Sequence, residues 1–221
     1  MSEFRPENAS PTPSASLLTP DNSVFVFIDH QPQMFFGTGN IDRVSIINAT
    51  VGLAKAAKVF NVPVVLTTVA ADTFSGHLLP PLAAEFPDHP ILDRTSMNAW
   101  EDAAVVQAVK ATGRRKIILS GLWTEVCLVM PALCALDQGY EIYLVADASG
   151  GVTPEAHTHA VQRITQHGGY PVTWLQVLLE LQRDWAREET YVPVTDIVKA
   201  HAGAYGLGVY YAGDFLGAHA G

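Results

Sequence analysis

Lys116-Ile117-Ile118-Leu119-Ser120-Gly121 runs directly into Leu122-Trp123-Thr124-Glu125-Val126-Cys127. The first half is a short, unbroken apolar run ended by glycine. The second opens an amphipathic stretch of helical length. A strand without polar alternation is covered on both faces, which is how parallel sheets are built. The same pattern recurs on either side. Apolar runs predict strands at 23–29, 63–68, 91–94, 116–121, 141–146 and 171–175, and amphipathic stretches predict helices at 43–60, 101–112, 124–138, 154–167 and 175–187. Thr153 is expected to cap the fourth helix, with Pro154 at its first position and Gly168 as its stop; Thr124 is expected to cap the third. The alternation implies an α/β fold: a single doubly wound domain over residues 21–190, with a mostly parallel six-stranded sheet and helices on both faces.

With 221 residues, 48% of them apolar and 16% charged, the chain has ample material for one buried core. Thirteen Lys and Arg against 22 Asp and Glu give a formal charge of −9, and the longest basic run is Arg114-Arg115-Lys116. That balance excludes nucleic acid and anionic membrane as expected partners. No stretch reaches the roughly 18 to 20 apolar residues of a spanning helix, and Met1-Ser2-Glu3-Phe4-Arg5 is no secretory leader, so a cytoplasmic protein is expected. Cys127 and Cys134 lie about 10 Å apart along one expected helix at 1.5 Å per residue, too far to bridge, so both are read as free thiols in a reducing compartment.

Both ends read differently from the middle. Residues 1–20 hold four of the fourteen prolines and are expected to form an arm without a core of its own, mobile or lying on a neighbouring subunit. Residues 191–221 form a C-terminal extension, rich in Gly, Ala, His and Tyr from about Ala200 and nearly uncharged. From about Ala200 to Gly221 it reads as neither helix nor solvated tail, and an interface in a homo-oligomer is expected there.

In doubly wound sheets ligands bind outside the carboxyl ends of the strands. Three chemically distinctive residues fall there. Asp29 closes Val24-Phe25-Val26-Phe27-Ile28; Arg94 closes the third strand; Cys127 follows the fourth, within the first turn of the next helix. Unpaired amides and the positive helix end favour a thiolate at Cys127, although a free cysteine also serves as a small core residue. Cys134, among Ala132, Leu133, Ala135 and Leu136, reads as core. A carboxylate at Asp29 is costly to bury unless paired or used; it could cap a turn, pair with Arg94, or carry the thiol proton. Arg94 stays protonated, so it can orient and neutralise but not act as a base. Gln31 and Asn98, beside two of these strand ends, could orient a substrate or stabilise turns. Trp123 lies close enough to Cys127 to contact a ligand. Gly37-Thr38-Gly39 lacks the context of a dinucleotide loop, and the histidines lack metal-ligand spacing, so no cofactor and no metal are expected.

Phe27-Ile28-Asp29-His30-Gln31, Asp93-Arg94-Thr95-Ser96-Met97-Asn98-Ala99-Trp100, Ser120-Gly121-Leu122-Trp123-Thr124-Glu125-Val126-Cys127 and Val145-Ala146-Asp147-Ala148-Ser149-Gly150 together resemble the isochorismatase-like cysteine hydrolases, and within them the YcaC-like subgroup. The resemblance spans about residues 20–190. It implies a catalytic triad of Asp29, Arg94 and Cys127, with arginine where other members carry lysine. It also implies a cis peptide at Leu122-Trp123, with the amides of Trp123 and Cys127 forming an oxyanion hole. Relatives that hydrolyse nicotinamide hold a metal through an Asp-x-His pair, which Thr67-Thr68-Val69-Ala70-Ala71-Asp72-Thr73-Phe74 lacks.

The function expected from these residues is cysteine-dependent, metal-independent hydrolysis of a C–N bond in a small amide, imide or carbamoyl compound. Cys127 would be the nucleophile, Asp29 the proton shuttle and Arg94 the orienting cation. Gln31, Asn98 and Trp123 would contact the small-molecule substrate. Two other readings stand beside it: a non-catalytic oligomeric or ligand-binding protein with a redox-sensitive Cys127, and an ether hydrolase of the isochorismatase type. The resemblance implies a tetramer or octamer.

Overall fold

The computed structural model describes residues 13–217. Six strands, β1 (Ser23–Ile28), β2 (Val64–Val69), β3 (Ile91–Arg94), β4 (Lys116–Gly121), β5 (Glu141–Val145) and β6 (Tyr170–Val172), pair in the order β3-β2-β1-β4-β5-β6. Every pairing is parallel, where sequence suggested mostly parallel. The winding direction reverses between β1 and β4, which opens a crevice at their carboxyl ends.

Strand alternation sends successive side chains into two cores. On one face Phe25, Phe27, Leu66, Ile118 and Tyr143 pack with α2 (Arg43–Val59), α7 (Trp174–Gln182) and α8 (Glu188–His201). On the other, Val24, Val26, Ile28, Ile117, Leu119 and Ile142 pack with α4 (Ala103–Ala111), α5 (Val129–Asp137) and α6 (Pro154–Gln166). Both faces being covered is why β1 and β4 are buried at every position. Two short helices, α1 (Pro32–Gly37) and α3 (Pro80–Ala83), and π turns at Ala71–Ser75 and Thr124–Leu128, sit in the connections.

Register brings the strand ends level: Ile28 lies opposite both Thr67 and Gly121, and Val69 opposite Arg94. Gly121 is required by this approach, since a Cβ there would stand 2.2 Å from the Ile28 carbonyl oxygen.

Several helix boundaries depart from the sequence reading. Thr153 caps α6 as expected, accepting from the Ala156 amide at 3.1 Å, and Gly168 follows at φ 103°. Thr124 does not cap a helix; its hydroxyl pairs with His157 Nδ1 at 2.8 Å, and the turn it opens is π-type, with α5 starting only at Val129. Thr173 caps α7 through the Gln176 amide, which shortens β6, and Arg183 at φ 56° ends the helix expected to reach 187.

The segment from about 200, expected to lack a helix, forms α9 (Gly203–Leu216), and α8 precedes it. Val194, Ile197 and Val198 of α8 lie in the main core, so the domain continues past residue 190. The arm also has a share in that core, because Leu18 is fully buried in it. Lys116 Nζ donates to the carbonyls of Ala15 and Leu17, and Tyr143 to Ser16, tying this strap to the amino ends of β4 and β5. The rest of the expected arm, residues 1–12, and the tail from 218 lie outside the described residues.

Candidate active site

Asp29 is the residue after β1, and its backbone turns there into the left-handed region at φ 56° while its amide donates to Thr67 O at 3.0 Å. Its side chain is wholly buried. Arg94, the last residue of β3, reaches across β2 to it: Nη1 donates to Oδ1 and Nη2 to Oδ2, each at 2.9 Å, and Nη1 also donates to Thr68 O at 3.0 Å. Both guanidinium prongs are thereby engaged. Burial raises the Asp29 carboxyl to about 6 in spite of Arg94 and of a hydrogen bond from Cys127, both of which pull it down; Asp93 adds to the rise.

Cys127, 4% exposed, sits in the Thr124–Leu128 turn with its thiol near enough to the Asp29 carboxylate to feel its charge. Burial, then the Asp29 charge and that hydrogen bond, push its thiol far above the ordinary thiol range. The thiolate anticipated from a helix start is therefore not the resting form. Helix-end amides are outweighed by the loss of water and a neighbouring negative charge. The three residues act as one unit with Arg⁺ and Asp⁻ cancelling. Losing the thiol proton to solvent would leave a buried net charge, whereas passing it to Asp29 would not.

The Leu122-Trp123 peptide is cis, as the resemblance implied. Trp123 Nε1 donates to Met34 O at 2.7 Å, and its ring lies so close to Gly37 that a Cβ there would stand 2.3 Å from it. The indole thus braces α1 over the site. Of the two amides expected to hold an oxyanion, that of Cys127 donates to Trp123 O at 2.9 Å.

Gln31 and Asn98 are used differently from a substrate contact. Gln31 Nε2 donates to Val69 O at 3.1 Å and to Gly76 O, and its Oε1 accepts from the Val69 amide at 2.9 Å, pinning β2 and the following turn to the end of β1. Asn98 accepts from the Trp100 amide at 3.1 Å and donates to Glu101 Oε1 at 3.0 Å, capping a single 3-10 turn. Both amides are satisfied by their own chain, which is the turn-stabilising alternative.

Two contributors escaped the sequence reading. His30, fully buried, places Nε2 3.2 Å from Ala148 O and 3.3 Å from Thr50 Oγ1, and burial lowers it to about 4. Glu125 accepts from the Val152 amide at 2.8 Å, and with the Thr124–His157 bond it fastens the cysteine turn to α6 and the loop before it. Position beside Asp29 and Cys127 was their only signal. Among the described residues no three His, Cys, Asp or Glu side chains are grouped to hold a metal, and no helix is long and apolar enough to cross a membrane.

An isochorismatase domain model matches residues 23–176. The chain is 37% identical over 172 residues to the probable hydrolase YcaC of Escherichia coli strain K12, covering 77% of this chain and 83% of that protein. The E. coli YcaC crystal structure, described as an octameric hydrolase of unknown specificity, superposes with a TM-score of 0.86 at 33% identity, covering 93% of this chain and all of that one. YcaC from Pseudomonas aeruginosa, solved with hexane-2,5-diol and covalent acrylamide, gives the same TM-score at 32% identity, over 91% of this chain and all of the other.

Proposed function

The chain belongs to the isochorismatase family, in its YcaC-like subgroup, and from that premise we propose that this hydrolase cleaves a C–N bond of a small amide, imide or carbamoyl compound through a thioester on Cys127. The observation that carries the reading is the buried Cys127 thiol next to a buried carboxylate that Arg94 grips with both prongs.

Cys127 Sγ attacks the carbonyl carbon while its proton passes to Asp29, which is about half ionised near pH 6 and ionised above it. Asp29 then hands the proton to the departing nitrogen, the C–N bond breaks, and the acyl group remains on sulfur. Water attacks the thioester, gives a proton to Asp29, and releases the acid as the thiol is restored. Arg94 keeps the carboxylate in place and limits the charge that the site must hold. The Trp123 amide, with that of Cys127 once it swings from Trp123 O, receives the oxyanion. Acrylamide adds readily to thiols, so its covalent presence in the P. aeruginosa relative is in keeping with a reactive cysteine in that protein. The absence of the Asp-x-His pair in the sequence supports a metal-independent course. A cytoplasmic location fits two cysteines read as free thiols.

A non-catalytic, oligomeric role draws on one specific observation, the burial of Cys127 to 4% exposure. Ammonia release from a panel of small amides, by wild type and by Cys127→Ala and Asp29→Asn variants, separates the two. Turnover by wild type alone supports hydrolysis; a folded, thiol-inert wild type supports the assembly role. As for assembly, α9 exposes Leu207, Tyr211 and Phe215, and we assign that face to contact between copies of the chain, as the octameric E. coli relative makes reasonable.

A further inference from the structure

The end of the sheet away from Cys127 carries a cleft of about 510 Å³, bounded by the last turn of α2, the start of β2 and the residues that lead into β4. A volume of this size accepts a small molecule. Its polar lining is Lys58, Asn61, His89 and Arg114, and its apolar side includes Pro63 and Phe86; among the described residues no Asp or Glu lines it. In a chain with 22 acidic residues against 13 Lys and Arg, that is the reverse of the overall charge.

The hydrogen-bond acceptors of the cleft wall are already claimed. Ala57 O receives the Val62 amide at 2.9 Å, Lys58 O the Asn61 amide at 3.1 Å, and Pro63 O the Phe25 amide at 2.9 Å. The first two of these bonds cap carbonyls of the last turn of α2, which if bare would oppose an anion. His89 Nε2 lies 2.8 Å from Val64 O, so it carries the ring proton and donates it there. Lys58 Nζ meets Glu85 Oε2 at 2.9 Å, which balances its charge.

Arg114 is left over. Its guanidinium makes no hydrogen bond or ion pair among the described residues, and its Nε is buried without a partner. A buried orphan donor of this kind calls for an acceptor, and a guanidinium fork matches the paired oxygens of a phosphate or carboxylate. Beside it the Asn61 side-chain amide is also without a partner among the described residues, and Pro63 and Phe86 offer a flat apolar wall.

We propose that this cleft is a second ligand site, for a small oxyanion borne on an apolar or aromatic body: the oxygens meet Arg114 and the Asn61 amide, and the body lies on Pro63 and Phe86. The site stands a strand's length from the cysteine turn, about 16 Å along β4 at roughly 3.3 Å per residue. It is therefore independent of the hydrolase reading, and its ligand is not the substrate of Cys127.

Calorimetric titration of the full-length protein at constant ionic strength tests this, with phenyl phosphate as the probe and inorganic phosphate and phenol as its two halves. Phenyl phosphate is expected to saturate at one per chain, several-fold more tightly than inorganic phosphate, with phenol not binding. Arg114→Ala should weaken it by about tenfold or more, the loss of a charged hydrogen bond. Asn61→Asp, which the left-handed backbone at φ 51° accommodates, adds a carboxylate to the cleft without removing a cation, and should weaken binding several-fold in a folded protein. No saturation by phenyl phosphate, equal affinity for inorganic phosphate, or binding unchanged in both variants would overturn the proposal. So would protection of Cys127 from iodoacetamide by the bound probe, which would place the ligand in the crevice instead. A change of oligomeric mass in Arg114→Ala would make the cleft a subunit contact and overturn it as well.

Discussion

Arg94 and Asp29 meet as a closed fork, Nη1 on Oδ1 and Nη2 on Oδ2 at 2.9 Å each, with both side chains shut off from solvent. The pair comes from strands separated by β2, so it also cross-links the sheet where the cysteine turn arrives. Its near-cancelling charge makes proton transfer from Cys127 to Asp29 less costly than thiol ionisation into solvent.

Reactivity of Cys127 should therefore follow Asp29 and not the thiol. Below about 6 the carboxyl is protonated and cannot accept the thiol proton, so alkylation should fall about tenfold per pH unit on that side and level off above it. In Asp29→Asn the plateau set by the carboxyl should vanish; the thiol, freed of the Asp29 charge and left beside Arg94, should ionise at a lower pH than in wild type, so labelling should rise with pH as the thiol itself titrates. Mass-resolved iodoacetamide labelling from pH 5 to 9 measures both curves.

Removing Arg94 strands a buried carboxylate. Arg94→Ala should cost about 3–5 kcal/mol in urea unfolding at pH 8. The loss should shrink at pH 5, where Asp29 is already protonated. Asp29 itself should rise further, since Arg94 is what pulls it down, and the acid limb of the labelling curve should move up with it. Arg94→Lys keeps the charge but not the fork, so an intermediate loss is expected.

His30 makes stability depend on acid. Its ordinary value is 6.5 and the folded value about 4, so the unfolded chain takes up the proton first. Its contribution is complete above 6.5 and declines by roughly 3 kcal/mol as pH falls to 4. Asp29 works in the opposite sense: its folded value is raised to about 6 from 3.8, so the native state gains between those values as pH falls. Urea midpoints at pH 7, 5.5 and 4.5 should drop more steeply for Asp29→Asn than for wild type.

The outer face of α9 should hold copies together. Tyr211 and Phe215 are 57% and 77% exposed, so changing both to serine should leave the fold intact and reduce the mass seen by light scattering. A wild-type mass of 23.8 kDa, the single chain, would end the interface assignment.

Residue pattern alone located β3 and β4 to the residue and the other strands to within a few, because continuous apolar runs have no other use in a covered parallel sheet. The meeting of Asp29, Arg94 and Cys127 was legible for a related reason, since polar residues at the ends of such runs must face the crevice. Helix ends past Trp174 were not. Arg183 stops α7 with no glycine to mark it, Pro193 interrupts the α8 pattern, and the glycines of α9 argue against the helix that packing permits. Gln31 and Asn98 show the limit within the site: their positions were evident, but backbone carbonyls and amides that claim them become neighbours only after folding. The direction of the Cys127 shift failed similarly, because it depends on how deeply the turn is covered.

The left-handed turn at Asp29 has a consequence for how copies of this protein can decay. At φ 56° the backbone favours Gly, Asn or Asp, and other side chains cost about 1–2 kcal/mol. Arg94 meanwhile demands a negative charge, which Gly and Asn cannot supply and which Glu supplies only on a strained backbone. Aspartate alone meets both demands, so drift at this position carries a folding penalty. Cys127 is under neither constraint, and its replacement by Ser or Ala leaves the ion pair intact. A descendant that has lost its chemistry should thus betray itself at the cysteine, with Asp29 and Arg94 still in place.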